Sequence, residues 1–198
     1  MASVLLVEDE DVERKLIDSV LRNAGHQVLL AGNGAQAIIV AADKKPEIIL
    51  SDINMPKMSG MELCGKIRAM PELAGSYIIL ITAYEKEGTK AASLDAGADD
   101  YLRKPVDKED LLIRVEIGSR ILAMRKDNEA LRERAVALQK TQDTLVAALD
   151  ALVRGMEEAA VRIQRGDPHA ALGSLDEANG AMQRVLEGID LAAGGGGG

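Results

Sequence analysis

Ile49-Leu50-Ser51-Asp52-Ile53-Asn54-Met55-Pro56 is an apolar run that ends in one carboxylate and breaks at a proline. Read as a buried strand, it delivers Asp52 to the edge of a sheet, where an acid is costly unless it meets water, a cation or chemistry. A carboxylate capping a loop would be the simpler account if Asp52 stood alone. It does not. Val4-Leu5-Leu6-Val7 is a second apolar run ending in acid, Glu8-Asp9-Glu10; Ile78-Ile79-Leu80-Ile81 ends in Thr82, and Asp100-Tyr101-Leu102-Arg103 ends in Lys104-Pro105. Four strand-like runs thus finish in polar groups of complementary kinds.

From Val4 to about Gly118, short apolar runs alternate with helical patterns, which argues a parallel sheet with crossover helices. The expected strands are Val4–Val7, Gln27–Ala31, Glu47–Ser51, Tyr77–Ile81 and Asp99–Leu102. Helices are expected at Val12–Ala24, Gly34–Asp43, Gly60–Met70, Gly88–Ala96 and from Lys108 onward. An open parallel sheet gathers its strand ends at one edge, where α/β proteins place their ligands. Carboxylates there make a hard oxygen site for Mg²⁺, a hydroxyl can bond a phosphoryl oxygen, and an ammonium can pair with its charge.

Glu8-Asp9, Asp52, the run Met55 to Gly60, Thr82-Ala83 and Lys104-Pro105 occur together and at the intervals of one family. Over about residues 1–120 the chain closely resembles the receiver domain of two-component response regulators. The combination is far more specific than any member of it. The resemblance implies a five-stranded, doubly wound, flavodoxin-like α/β sheet of order 2-1-3-4-5. It also implies a phosphoryl group accepted on Asp52, with Asp52, Thr82 and Lys104 as the reacting set. By the same resemblance Asp9 and Asp52 ligate Mg²⁺ directly, Glu8 acts through water, and Asn54 lends its main-chain carbonyl. Thr82 would hydrogen-bond the new phosphoryl group, Lys104 would pair with it, Tyr101 would follow by rotating, and the Lys104–Pro105 bond would be cis. Catalysis is then limited to self-phosphorylation and dephosphorylation, and the phosphate would come from a sensor histidine kinase or phosphotransfer protein.

At 198 residues the chain can hold one compact domain plus an extension. A formal net charge of −8 with no basic cluster speaks against a nucleic-acid surface. No apolar run approaches the ~20 residues of a membrane span, so a soluble, cytoplasmic protein is expected. Cys64, the single cysteine, reads as a small hydrophobe on a helix face. Without Phe or Trp, the cores must be built from Leu, Ile, Val, Met and Ala.

After Gly118 the pattern changes. From Ile121 to Ile163 seam residues recur at alternating steps of three and four, with no proline, as in a heptad coiled coil. Asn128 and Gln142 fall at its a positions, where buried amides select register and commonly a parallel dimer. Beyond Gln142 the stripe widens through Val146, Ala148, Val153, Gly155 and Ala160, more than two strands can cover. Arg165-Gly166-Asp167-Pro168 then reads as a helix stop, an N-cap and a proline at the first helical position. A second helix runs to about Leu191, presenting Leu172, Leu175, Met182, Val185, Leu186 and Ile189 on one face. The expected organisation is a receiver at 1–118, a coiled-coil linker at 119–142, a helical hairpin at 143–193 that forms a four-helix bundle in the homodimer, and a flexible glycine tail at 194–198.

The combined reading is a phosphorylatable response regulator that signals to a downstream protein partner through a dimeric helical module. Two alternatives stay open: a regulatory fragment of a larger signalling enzyme, and a helical-bundle phosphotransfer protein in which His169 accepts phosphate. His169 follows a helix start and reads better as a solvated first-turn residue, and the kinase run His-Glu-Leu-Arg-Thr-Pro is missing.

Overall fold

The computed structural model describes residues 1–83 and 95–194, with side chains described as far as 188 except 186. Five strands, β1 (Ser3–Val7), β2 (Gln27–Ala31), β3 (Ile48–Asp52), β4 (Tyr77–Thr82) and β5 (Asp100–Arg103), form one parallel sheet in the order β2-β1-β3-β4-β5. The order is the expected one. Helices are α1 (Asp11–Asn23), α2 (Gly34–Lys44), α3 (Gly60–Arg68), α4 (Lys108–Gln164) and α5 (Pro168–Gly194). The expected helix Gly88–Ala96 falls largely outside the described residues, as does most of the glycine tail. The side chains of Leu186 and Ile189 also lie outside them.

Both faces of the sheet are covered, which is why the strands read as unbroken apolar runs instead of alternating. On one face Leu5, Ile49 and Leu80 pack with Ala37, Leu63 and Ile67. On the other, Leu6, Leu50 and Ile81 pack with Ile17, Leu21 and Val115. Cys64 is buried among the first set, as a small hydrophobe should be. The helix starts follow from local chemistry: Asn33 Oδ1 accepts the Gln36 N–H at 2.9 Å, and Ser59 and Glu62 complete a reciprocal capping box.

Strand β5 begins one residue later than its hydrophobicity suggests, because Asp99 is taken by side-chain bonding. Asp99 Oδ2 accepts from the Arg68 guanidinium at 2.6 Å and from the Ile78 N–H at 2.9 Å. Arg68 also donates to the carbonyls of Gly97, Ala74 and Ser76. Its guanidinium thereby ties down the turn after α3, and the helix closes at Arg68 instead of the expected Met70.

The chain divides into two compact units, Met1–Asp127 and Asn128–Gly198. In the first, the initial turns of α4 lie on the sheet through Leu111 and Val115, and two cations follow at the amino edge of the strands. Arg125 reaches Asp99 at 3.4 Å, and Lys126 reaches Glu47 at 2.8 Å. Glu47 in turn accepts the Ser3 N–H at 3.3 Å, and its hydrogen bond from Lys126 holds its carboxyl below the ordinary range.

The second unit is a helical hairpin. Gly166 turns the chain at φ 82°, and Asp167 Oδ1 caps the new helix by accepting the Ala170 N–H at 3.0 Å. Small side chains let the two helices approach: Ala148, Ala159, Ala171 and Ala178 are buried, and a Cβ on Gly155 would stand 2.5 Å from that of Ala178.

Gly118 looks like a flaw in α4, since glycine inside a helix costs about 0.5–1 kcal/mol relative to alanine. Packing explains it: a Cβ there would lie 2.6 Å from the ring of buried Tyr77. Overpacking costs about 1–3 kcal/mol, enough to outweigh the helix gain of about 1 kcal/mol. Gly118→Ala should therefore lower unfolding stability in urea, and a stabilised variant would show that the ring is not fixed.

Candidate functional site

The parity of the strands assembles the site. Along a strand every second side chain shares a face, and Leu6, Leu50 and Leu102 all belong to the core beneath α1 and α4. The residues two further on are Glu8, Asp52 and Lys104. The adjacent strands β1 and β3 therefore release two acids, and β5, one strand beyond β4, releases one cation on the same side of the carboxyl edge.

These groups touch. Lys104 Nζ donates to Glu8 Oε2 at 3.0 Å and to Asp52 Oδ2 at 2.9 Å. Glu8 is fully buried and Asp52 nearly so. The second Asp52 oxygen accepts the Asn54 N–H at 3.1 Å, and Glu8 Oε1 accepts the Glu10 N–H at 3.2 Å. Burial would lower the Lys104 ammonium, but its hydrogen bonds to Glu13, Asp52 and Glu8 outweigh that and hold it well above the usual lysine range. Burial pushes the Glu8 carboxyl up, against the bonds from Lys104 and the Glu10 N–H and with the help of the neighbouring Asp52 charge.

Asp9 is exposed, one position beyond Glu8 and on the opposite parity. Even so, one carboxylate oxygen from each of Glu8, Asp9 and Asp52 lies within 4.8 Å of the others. Three hard oxygen donors of net negative charge, one of them open to water, suit Mg²⁺, which keeps several waters and takes one or two carboxylates. The Asn54 side chain is exposed, so its tie to the site is through the backbone.

Thr82 closes β4 and is buried; its carbonyl accepts the Lys104 N–H at 2.8 Å. The Lys104–Pro105 bond is cis. Tyr101 is half-buried on β5, with the Arg114 guanidinium 5.7 Å from its ring centroid. His169, by contrast, is exposed in the second unit.

The loop from Met55 to Gly60 returns tightly against the site. Gly60 donates its N–H to the Ile53 carbonyl at 3.0 Å, and a Cβ there would stand 2.2 Å from the Asp52 carbonyl oxygen. Only glycine lets the backbone pass so close.

One site member is absent from the sequence reading. Glu13 Oε2 accepts from Lys104 Nζ at 2.7 Å, the shortest of the three contacts. A signal did exist: Glu13, Ile17 and Leu21 are spaced by four, so an acid heads the buried stripe of α1 at the end nearest the strand tips.

Residues 4–116 match the response regulator receiver domain family. Protein PilH of Pseudomonas aeruginosa is 37% identical over 112 residues, covering 57% of this chain and 93% of that protein. The phosphate regulon transcriptional regulatory protein PhoB of the same species is also 37% identical, over 58% of this chain. The chain spans only 50% of PhoB. Among solved structures, chemotaxis protein CheY4 of Vibrio cholerae is 31% identical, with a TM-score of 0.57, covering 59% of this chain and 97% of its own. The receiver domain of sensor histidine kinase PA1611 from Pseudomonas aeruginosa, solved with a magnesium ion coordinated in its active-site cleft, is 33% identical, with a TM-score of 0.55 over 62% of this chain and 98% of that one.

Removing the ammonium leaves Glu8 and Asp52 facing each other at low exposure. Lys104 itself is 16% exposed, so water moderates the penalty; about 1–3 kcal/mol is expected for Lys104→Met. Thermal denaturation in chelator should show that loss, and added Mg²⁺ should recover part of it. Equal stability of variant and parent in chelator would mean that the acids do not depend on Lys104.

Proposed function

The chain belongs to the response regulator receiver family of two-component signalling, and from that premise we propose that it accepts a phosphoryl group on Asp52. The observation that carries this reading is the three-way contact of Lys104 with Glu8, Glu13 and Asp52 at the carboxyl edge of the sheet. Asp52 is the nucleophile: a carboxylate oxygen forms a bond to phosphorus while the bond from phosphorus to the donor, a phosphohistidine nitrogen or the leaving oxygen of a small phosphodonor, breaks. The product is an aspartyl phosphate. Asp9 and Asp52 would hold Mg²⁺ directly, with Glu8 through water and the Asn54 main-chain carbonyl, and the ion would compensate the charge on the phosphoryl oxygens.

The residues of the chain do the positioning. The Asn54 N–H fixes one Asp52 oxygen and Lys104 the other, so the carboxylate is oriented before a donor arrives. Lys104 then stays on the side where phosphoryl charge accumulates. Thr82, at the end of the adjacent strand, offers its hydroxyl to the same group, and Tyr101, beyond it on β5, follows the inward pull. Water attack on the aspartyl phosphate returns the carboxylate.

We further propose that the output is a homodimeric helical module that engages a downstream protein, with the phosphate supplied by a sensor histidine kinase or a phosphotransfer protein. Among the described residues no helix is long and apolar enough to cross a membrane, which supports a cytoplasmic setting. The charge of −8 supports a protein output over a nucleic-acid one. Phosphorylation, in this reading, biases the geometry of the coil instead of creating the dimer, since allosteric couplings of ~1–3 kcal/mol are too small to assemble a seam of this length.

Incubation with a small phosphodonor and Mg²⁺ should add one phosphoryl mass to the intact protein. Asp52→Asn should abolish the addition, and chelator should suppress it. Labelling that survives either treatment removes the nucleophile or the metal from this account.

A further inference from the structure

We infer that a second copy of this chain covers the outer stripe of α4 within the hairpin, and that it does so with its α5. The inference rests on the dimeric reading above and specifies which surfaces meet.

The starting observation is exposure. Between positions 128 and 140 every residue of α4 is exposed, Leu131 at 59% and Leu138 at 71%. These leucines occupy d positions of the heptads and have no cover among the described residues. A helix that shows a regular leucine seam to water is marginal, and an identical helix in register satisfies it.

Beyond Gln142 the seam divides. The d residues Leu145, Leu152 and Ala159, with Ala148 and Gly155 at the g positions beside them, turn toward α5 and are half-buried or buried. The a residues Leu149, Met156 and Ile163, with Val146 and Val153 at the e positions, stay uncovered, Met156 at 62%. A two-stranded coil uses a and d together. Here d already belongs to the chain's own second helix. The partner must therefore meet α4 along a and e.

Symmetry says which partner helix does so. When a two-fold axis runs along a parallel α4 pair, four helices can close around it only with the two α4 helices on one diagonal. Each α4 then has two neighbours, its own α5 and the α5 of the other copy. The counter-surface is present on this chain: Leu172 and Leu175 of α5 are exposed, at 59% and 38%. Their height fits as well. Gly155 lies against Ala178, and the Arg162 guanidinium donates to the Ala170 carbonyl at 3.0 Å. In an antiparallel hairpin with that register, Met156 and Ala160 stand level with residues 173–177, which include Leu175.

A second copy fits better than a different protein, because the uncovered a/e stripe continues the seam that already calls for an identical helix. Patch and counter-patch are both on one chain, and a single two-fold operation covers all of them.

The test uses the full chain in a Cys64→Ser background under mild oxidation. Leu131→Cys alone should form a symmetric disulfide dimer. A mixture of Met156→Cys protein with Leu175→Cys protein, exchanged through mild denaturant, should form the mixed disulfide in preference to either symmetric one. Ile163→Cys with Leu172→Cys provides a second mixed pair should the first disturb the hairpin, and circular dichroism confirms helix content in each variant. If Leu131→Cys cross-links but Met156→Cys pairs with itself and neither mixed disulfide forms, the two-stranded coil continues through the hairpin and this inference fails while the dimer stands. If Leu131→Cys does not cross-link and sedimentation gives a monomer, the dimeric reading fails and takes the inference with it.

Discussion

One ammonium among three carboxylates is the contact on which the carboxyl edge of the sheet depends. Glu8 and Asp52 leave adjacent strands on the same face with little solvent between them, and at that separation like charges in low dielectric repel by several kcal/mol in the absence of a counter-ion. Lys104 comes from the far end of the sheet, beyond the strand that carries Thr82, and Glu13 comes from the first helix. The contact therefore joins the ends of β1, β3 and β5 and the start of α1. A site held by exchangeable charge, and not by apolar packing, can respond to chemistry without disturbing the core below it.

Much of this was legible in the sequence, for a physical reason. A sheet buried on both faces turns its strands into runs of Leu, Ile and Val, and the first polar residue after each run marks the place where the strand leaves the core. Glu8 and Thr82 could be found that way; Asp52 and Lys104 stand one position past the first polar residues, Ser51 and Arg103, and were singled out by the spacing shared with the receiver family. Glu13 could not be found by the same rule, since it terminates nothing; it is one acid in the run from Glu8 to Glu13, which reads as solvated until the helix face is drawn. Asp99 and Arg68 were hidden for a related reason. Arg68 bonds mainly to backbone carbonyls and Asp99 takes the Ile78 N–H, and backbone groups leave no mark in a sequence.

The helical extension shows the opposite balance. Periodicity reveals that a residue belongs to an apolar stripe but not which helix covers it. The seam from Ile121 to Ile163 reads as one continuous pattern, yet Ile121 packs on the core of the first unit, positions 128–140 have no cover among the described residues, and the rest is half covered by α5. The small residues Ala148, Gly155 and Ala159 carried the hint, because alanine and glycine at a helix face permit close approach and leucine does not.

The bonds of Arg125 and Lys126 to Asp99 and Glu47 bear on how the first unit could be excised as a recombinant fragment. A cut at Gly118, where the alternating pattern ends, would strip the helix that shields Tyr77 of its last turns. It would also leave Glu47, which orders the first strand through the Ser3 N–H, without Lys126, and Asp99 with Arg68 but without Arg125. A fragment that ends after Asp127 keeps every one of these contacts, so the natural border for dissection lies a few helical turns into what looks, on paper, like linker.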